Sequence, residues 1–386
     1  MRKIKRNNGK KTFALIFEAL NVHLTKDVGS IPYILARDYG YDPYLVCHDI
    51  GQEFTNEYVL RFLDIIKLKQ IKPLQSDAHR RYYFLSYWLF LFRNARAIDV
   101  LQLYHYTKAS KITALMYKFL NPKGIVYLKL DAMPDIVERM AYDCFVKNVF
   151  DVVSVEIKSV FDGLSTACFK QNQAKLFHIP NGIDDLWLRQ NGFSGIVKED
   201  KENIIITVGR IGSDQKNNTM ALEAMNGMTL GDWKFVFIGP IEKRFADAVE
   251  TFYETNPGLK SSVILTGEIA DRHEIFSWYK RAKCFCLTSV WEGFPLCLCE
   301  ALYFGCEIIS TPIDALPDIT NNGEFGHSVN NSAELRGVLQ KITDGQVDPT
   351  ENIDKITAHG KRFYWSEICG KLNNIMQKNQ NNKERI

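Results

Sequence analysis

The stretch KCFCLTSVWEGFPLCLCEALYFGCEIISTPIDALPD, from Lys283 to Asp318, decides how the rest of the chain is read. It opens on a short apolar run, Cys284-Phe285-Cys286-Leu287, which predicts a buried strand, and turns polar at Thr288-Ser289, where a ligand can sit at the strand's carboxyl end. Gly293 and Pro295 make a turn that no strand can continue. Leu296, Leu298, Ala301, Leu302 and Phe304 then follow helical spacing toward Gly305, a C-cap, and Ile308-Ile309 forms the next strand before Ser310-Thr311-Pro312. The unit is therefore strand, loop, helix, strand. It holds one glutamate in the loop, Glu292, and a second in the helix, Glu300.

A helix that begins near Pro295 to Cys297 aims free N–H groups and the positive end of its dipole at the loop, which suits a diphosphate. A loop carboxylate beside it can hold sugar hydroxyls, and one further along can accept from a ribose. An arbitrary pair of glutamates is a solvated pair. This pair sits in a pattern. Glu292-Gly293-Phe294-Pro295-Leu296, then Glu300-Ala301-Leu302 and Gly305, with Ser289 in front, resembles the signature of the family 4 retaining glycosyltransferases, the glycosyl transferases group 1. The resemblance is strongest over 181 to 318. It implies an α/β chain of two Rossmann-like domains facing across a cleft, the GT-B arrangement, with a C-terminal helix crossing back to the first domain. The expected bounds are 1–184 for the acceptor-binding domain, 185–360 for the nucleotide-sugar-binding domain, and 361–386 for the returning helix and a frayed tail.

Working outward, Ile204 to Val208 is a buried strand running into Gly209-Arg210, and Lys216 follows six residues later. An arginine and a lysine converging on one loop neutralise a diphosphate, the first by a forked contact and the second as a compact charge. The pair matches the family's phosphate-binding residues. Phe235 to Ile238 and Val263 to Thr266 are further strands, ending in Gly239 and Gly267. The resemblance implies that the loop at Gly267-Glu268-Ile269 meets the nucleobase through its backbone. Pro180-Asn181-Gly182-Ile183-Asp184 matches the family's inter-domain segment and reads as a hinge, and the loosely patterned Trp187 to Glu202 reads as the linker.

In the first half, Thr12 to Phe17 predicts a strand, Glu18 to Val28 a polar turn, and Gly29-Ser30 the start of a helix, with a glycine that would let a ligand approach the backbone. In the matching place of the family lies a loop facing the donor diphosphate and acceptor, so Gly29, Lys26 and Asp27 are expected there. Strands at 44–47, 99–105, 125–130 and 152–155 alternate with helices, which predicts a parallel sheet. The family often carries a histidine near the end of the strand at 125–130; this chain has Lys129-Leu130-Asp131, so Asp131 or His105 stands as the substitute. His79 to Arg96 is unusual: from Tyr82 to Phe92 it contains only aromatics, leucine and one serine between arginine-rich flanks. Too short to span a bilayer, it is either a core helix or an aromatic face dipped into a membrane interface.

The chain's 386 residues suit two domains, and 46% hydrophobic with 24% charged residues are ordinary globular values. A net charge of +3 gives no argument for nucleic acid. Nine cysteines show no zinc-type spacing and read as small core residues. No secretory signal is visible, and a cytoplasmic protein is expected. The resemblance implies retaining transfer of a sugar from a nucleotide-sugar, with UDP preferred, to a glycan or lipid-linked acceptor of a bacterial surface-polysaccharide or glycoconjugate pathway. No metal or other cofactor is expected, and peripheral contact with an anionic membrane is. Arg210, Lys216 and Glu292 would be catalytic; Gly29, Gly267, Glu268, Phe294, Pro295, Leu296 and Glu300 would bind the donor; Lys26, Asp27, His105 and Asp131 would face the sugar or acceptor. The other readings are a non-catalytic nucleotide-sugar-binding assembly partner, or a GT-B epimerase or phosphorylase.

Overall fold

The computed structural model describes residues 3–7, 9–69, 84–132, 134–141, 143, 149–170 and 173–384. Two compact units divide it, Met1–Gly182 with Trp365–Ile386, and Ile183–Tyr364.

The first unit is built on seven strands: β1 (Lys11–Ile16), β2 (Tyr41–His48), β3 (Asp64–Leu68), β4 (Val100–Tyr104), β5 (Ile125–Lys129), β6 (Val152–Val155) and β7 (Leu176–His178). They pair in parallel in the order β3-β2-β1-β4-β5-β6-β7. Strands β4, β5 and β6 are buried along their whole length, the pattern of a sheet covered on both faces. Three of its helices matter below: α1 (Asp27–Tyr39), α2 (Leu85–Asn94) and α3 (Lys108–Leu120). Thr107 opens α3 by accepting from the Ser110 N–H, an N-cap worth about 1 kcal/mol.

The second unit has β8 (Glu202–Val208), β9 (Lys234–Ile238), β10 (Val263–Gly267), β11 (Ala282–Leu287), β12 (Glu307–Ser310) and β13 (Gly326–Ser328), parallel in the order β10-β9-β8-β11-β12-β13. Its helices α4 (Arg272–Arg281) and α5 (Leu296–Tyr303) flank β11 in sequence. Helix α5 ends as its sequence foretells. The Cys306 N–H reaches the Ala301 carbonyl, and Gly305, in the left-handed region, reaches Leu302, the paired bonds of a Schellman cap.

The chain departs from expectation in three places. Residues 187–202 are no loose linker: Asp185–Gln190 is a helix, Leu188 and Phe193 are buried, and the Tyr303 hydroxyl donates to the Phe193 carbonyl. The segment 18–28 is not a plain turn either, since a 3-10 helix at Asn21–Thr25 leads straight into α1. The last helix, α6 (Trp365–Glu384), runs through most of the expected tail, where Lys383 pairs with Asp151 of the first unit. Trp365, Ile368, Cys369, Leu372 and Met376 of α6 lie in the same buried cluster as Phe13, Leu15 and Ile31. Residues 79–83 of the aromatic segment lie outside the described residues; most of the rest forms α2, followed by a 3-10 turn at Ala95–Ala97.

Candidate active site

In an open parallel sheet, ligands bind beyond the strands' carboxyl ends where the strand order reverses. In the second unit that point lies between β8 and β11. The loop after β8 carries Gly209-Arg210 and Lys216, and the loop after β11 carries Thr288 to Glu292. Topology alone thus brings the two motifs together.

Side-chain geometry completes the junction. Lys216 Nζ donates to Glu292 Oε1 at 2.5 Å, and Ser289 Oγ donates to the same oxygen at 2.7 Å. Arg210 donates from Nη2 to Gln215 Oε1 at 2.7 Å, and Gln215 Nε2 donates to the Trp291 carbonyl at 3.1 Å. The Val290 N–H closes the link on the Gln215 carbonyl, 2.8 Å away. Gln215 therefore clamps the arginine loop to the glutamate loop. Sequence reading passed over it; its position directly before Lys216 was the available signal. Glu292 is only 9% exposed, and the lysine and the serine supply the donors its buried oxygen needs.

The approach of the loops relies on glycine at one point above others. Gly239 has φ +132°, and a Cβ on it would lie 2.0 Å from the Gly209 carbonyl oxygen. Between these strand ends there is room for backbone alone.

Helix α5 starts at Leu296 with Pro295 as its N-cap and with no side chain capping it, so its first amides point outward unpaired by a cap. Glu300 lies one turn on and accepts a hydrogen bond from the Tyr279 hydroxyl at 2.8 Å. Burial pushes its carboxyl above the usual range, with Arg272 and the Tyr279 bond pulling partly back. Gly267 ends β10, and Glu268 beyond it is exposed. Phe294, expected at the donor, is buried and its ring packs on Phe363 at 5.7 Å, so its side chain serves the core.

In the first unit, the order reverses between β1 and β4. A cavity of about 260 Å³ lies there, lined among others by Phe17, Tyr87, Leu103, Tyr104, His105 and Thr113. His105 and Asp131 follow the adjacent strands β4 and β5 and both have left-handed backbones, φ 55° and 44°. Such conformations cost non-glycine residues about 1 to 3 kcal/mol. The His105 N–H donates to the Lys129 carbonyl at 3.0 Å, which holds the two strand ends side by side.

Other expected residues are spoken for. Lys129 is fully buried and pairs with Glu156, with Asp27 Oδ2 3.6 Å away. Asp27 also accepts from the Tyr104 hydroxyl at 2.8 Å. The two carboxylates hold the Lys129 ammonium in its charged form, with its pKa raised against the pull of burial. The residue in the histidine's place is thus an internal tie. Gly29 is buried, and a Cβ on it would meet the Leu24 carbonyl oxygen at 2.2 Å; the close approach it permits is to the chain's own 3-10 turn. Lys26 is exposed. Ser86, His48 and Glu18 form a hydrogen-bonded string that looks like a nucleophile relay. Ser86 is 1% exposed, so the string is a tie from α2 to the strand ends. Among the described residues there is no cluster of three metal-ligating side chains, and seven of the eight described cysteines are buried.

Residues 202–344 match the family described as Glycosyl transferases group 1. The matched segment lies wholly within the second unit. Two curated glycosyltransferases are similar over part of their length. One is the GalNAc-alpha-(1->4)-GalNAc-alpha-(1->3)-diNAcBac-PP-undecaprenol alpha-1,4-N-acetyl-D-galactosaminyltransferase of Campylobacter jejuni, 29% identical over 33% of this chain and 34% of its own. The other is the UDP-Gal:alpha-D-GlcNAc-diphosphoundecaprenol alpha-1,3-galactosyltransferase of Escherichia coli, 28% identical over 47% of this chain and 49% of its own. The chain thus spans between a third and a half of these relatives. In three dimensions the likeness is wider. The apo lipopolysaccharide outer core galactosyltransferase WaaB superposes with a TM-score of 0.70 over 95% of this chain and 99% of that one, at 16% identity. The fold is GT-B.

Proposed function

We propose that the protein is a retaining glycosyltransferase that moves a sugar from a UDP-sugar to a lipid-linked acceptor at the inner face of the membrane. The observation that carries this is the junction at the second switch point, where Arg210, Lys216, Glu292 and the start of α5 converge. Support comes from the group 1 match and from two relatives whose names specify diphosphoundecaprenol-linked acceptors, one with a UDP-sugar donor.

Arg210 and Lys216 neutralise the charge that grows on the diphosphate as the bond from the anomeric carbon to the phosphate oxygen breaks, aided by the amides of α5. Glu292, released from Lys216, orients the sugar hydroxyls, and Glu300 accepts from the ribose. The acceptor hydroxyl attacks from the same face, its oxygen bonds to the anomeric carbon, and its proton passes to the departing phosphate. No metal is required by this scheme. The first-unit cavity lined by His105 is proposed to receive the acceptor, with Asp131 and Lys26 as further acceptor-side candidates.

Calorimetric titration with UDP, GDP, ADP, CMP and dTDP in the presence of a chelator tests the site. UDP should bind, and Glu300→Ala should abolish binding. Lys216→Ala should cost about a hundredfold or more in turnover. If no nucleotide binds without metal, the scheme is wrong. Slow hydrolysis of the donor without acceptor separates an enzyme from a binding module.

A further inference from the structure

Helices α2 and α3 turn an apolar face outward. They lie side by side and run the same way, tied by the Trp88 Nε1 hydrogen bond to Thr113 Oγ1 at 3.2 Å and, past their ends, by Asn121 Nδ2 to the Ala95 carbonyl at 3.0 Å. Their inner faces are satisfied, with Tyr87, Phe90 and Leu91 of α2 and Thr113, Ala114 and Tyr117 of α3 buried. Outward stand Leu89 at 42% and Phe92 at 70% exposure on α2, and Ile112 at 47%, Leu115 at 44% and Phe119 at 86% on α3. The α3 residues recur at helical spacing and make a stripe. Five large apolar side chains on two adjoining helices are more than the scattered exposure that globular surfaces tolerate.

Charge identifies the occupant. Neither helix contains an aspartate or a glutamate. Arg93 and Arg96 follow the α2 patch, and Lys108 and Lys123 bracket the α3 stripe. All four are exposed, and none has an ion-pair or hydrogen-bond partner among the described residues. An apolar centre, a cationic rim and helices without a carboxylate of their own, the nearby Asp143 and Asp151 being paired with Lys111 and Lys118, make the pattern that lies in the interface of an anionic bilayer, where each free cation adds attraction to lipid phosphates.

We propose that the α2–α3 face is a membrane-docking surface for anionic phospholipid, with Phe92 and Phe119 inserted among the acyl chains and Arg93, Arg96, Lys108 and Lys123 at the phosphates. The proposal rests on the reading of a lipid-linked acceptor. The acceptor cavity reaches into the same helix pair through Tyr87 and Thr113, so docking by this face brings a membrane-held acceptor to it.

The test is co-sedimentation of the full chain with phosphatidylglycerol/phosphatidylcholine vesicles at low salt, without donor or acceptor. Binding is expected to anionic vesicles, weakly or not at all to pure phosphatidylcholine, and to fall as salt screens the rim. Phe92→Ser with Phe119→Ser should abolish it. Each of Arg93→Gln, Arg96→Gln, Lys108→Gln and Lys123→Gln should lower partitioning about fivefold. UDP titration of each variant should match the wild type, since none of these residues is in the second unit. Failure of the wild type to sediment overturns the proposal, as does undiminished binding by the double serine variant. Sedimentation velocity showing a dimer that the serine variant dissolves, with no vesicle binding, overturns it in favour of a second copy. None of these results touches the UDP titration, so the two readings fail separately.

Discussion

Glu300 shows what the site costs at the level of one residue. Its carboxyl is held among apolar surroundings that disfavour its charge, yet a ribose hydroxyl is best accepted by the charged form. Because the pKa in the folded chain is raised above its unfolded value, the favourable contribution is complete only at low pH. It is lost as pH rises through the folded pKa. Glu300→Gln keeps an acceptor for the Tyr279 hydroxyl and removes the charge. Its melting temperature should exceed that of the wild type at pH 7, and the gap should close below the usual carboxylate range. The same variant should bind UDP more weakly, and wild-type affinity should fall as pH is lowered through the raised pKa of Glu300. A variant less stable than wild type at pH 7 would sink this account of Glu300.

Elements meet the ligand through their ends, and the second switch point depends on how closely β8 and β9 end together. Gly239→Ala places a methyl group against the Gly209 carbonyl and forces a backbone of φ +132° on a side chain. The loss should exceed about 1 kcal/mol in urea denaturation, with weaker UDP binding because Arg210 shifts with its loop. Unchanged stability would show that the loops part without strain. Much of this element-level arrangement was legible in the sequence. The strands at 204–208, 284–287 and 308–309 announced themselves as apolar runs ending in glycine or hydroxyl residues, and Gly305 gave the end of α5. Lys216 and Glu292 were legible as residues, but their 2.5 Å pairing was not, because it depends on which strands are neighbours. Gln215 escaped notice since a lone glutamine carries no periodicity and no charge. Lys129 was legible only as part of the Lys129-Leu130-Asp131 departure from the family's pattern, and not as a buried charge. Only the positions of Glu156 and Asp27, on other elements, reveal that it is an internal ion.

For the whole molecule, the helix α6 belongs to the unit farthest from it in sequence. Trp365 is 1% exposed, and the Tyr41 hydroxyl donates to Asn373 at 3.2 Å. A chain stopped after Tyr364 should leave the face of Phe13, Leu15 and Ile31 open to water. Limited proteolysis should then cut throughout Lys3 to Gly182 while Ile183 to Tyr364 stays protected. A truncated chain whose first unit remains resistant would show that α6 is dispensable. The route of the chain carries a further consequence for its synthesis. The second unit is one continuous segment and has all its residues once Tyr364 leaves the ribosome. The unit whose strands emerge first lacks part of its core until the final helix follows. Synthesis proceeds from the first unit to the second, and completion proceeds from the second to the first. Until then the nascent first unit presents an unfinished apolar face, and that interval is when it most needs chaperone cover.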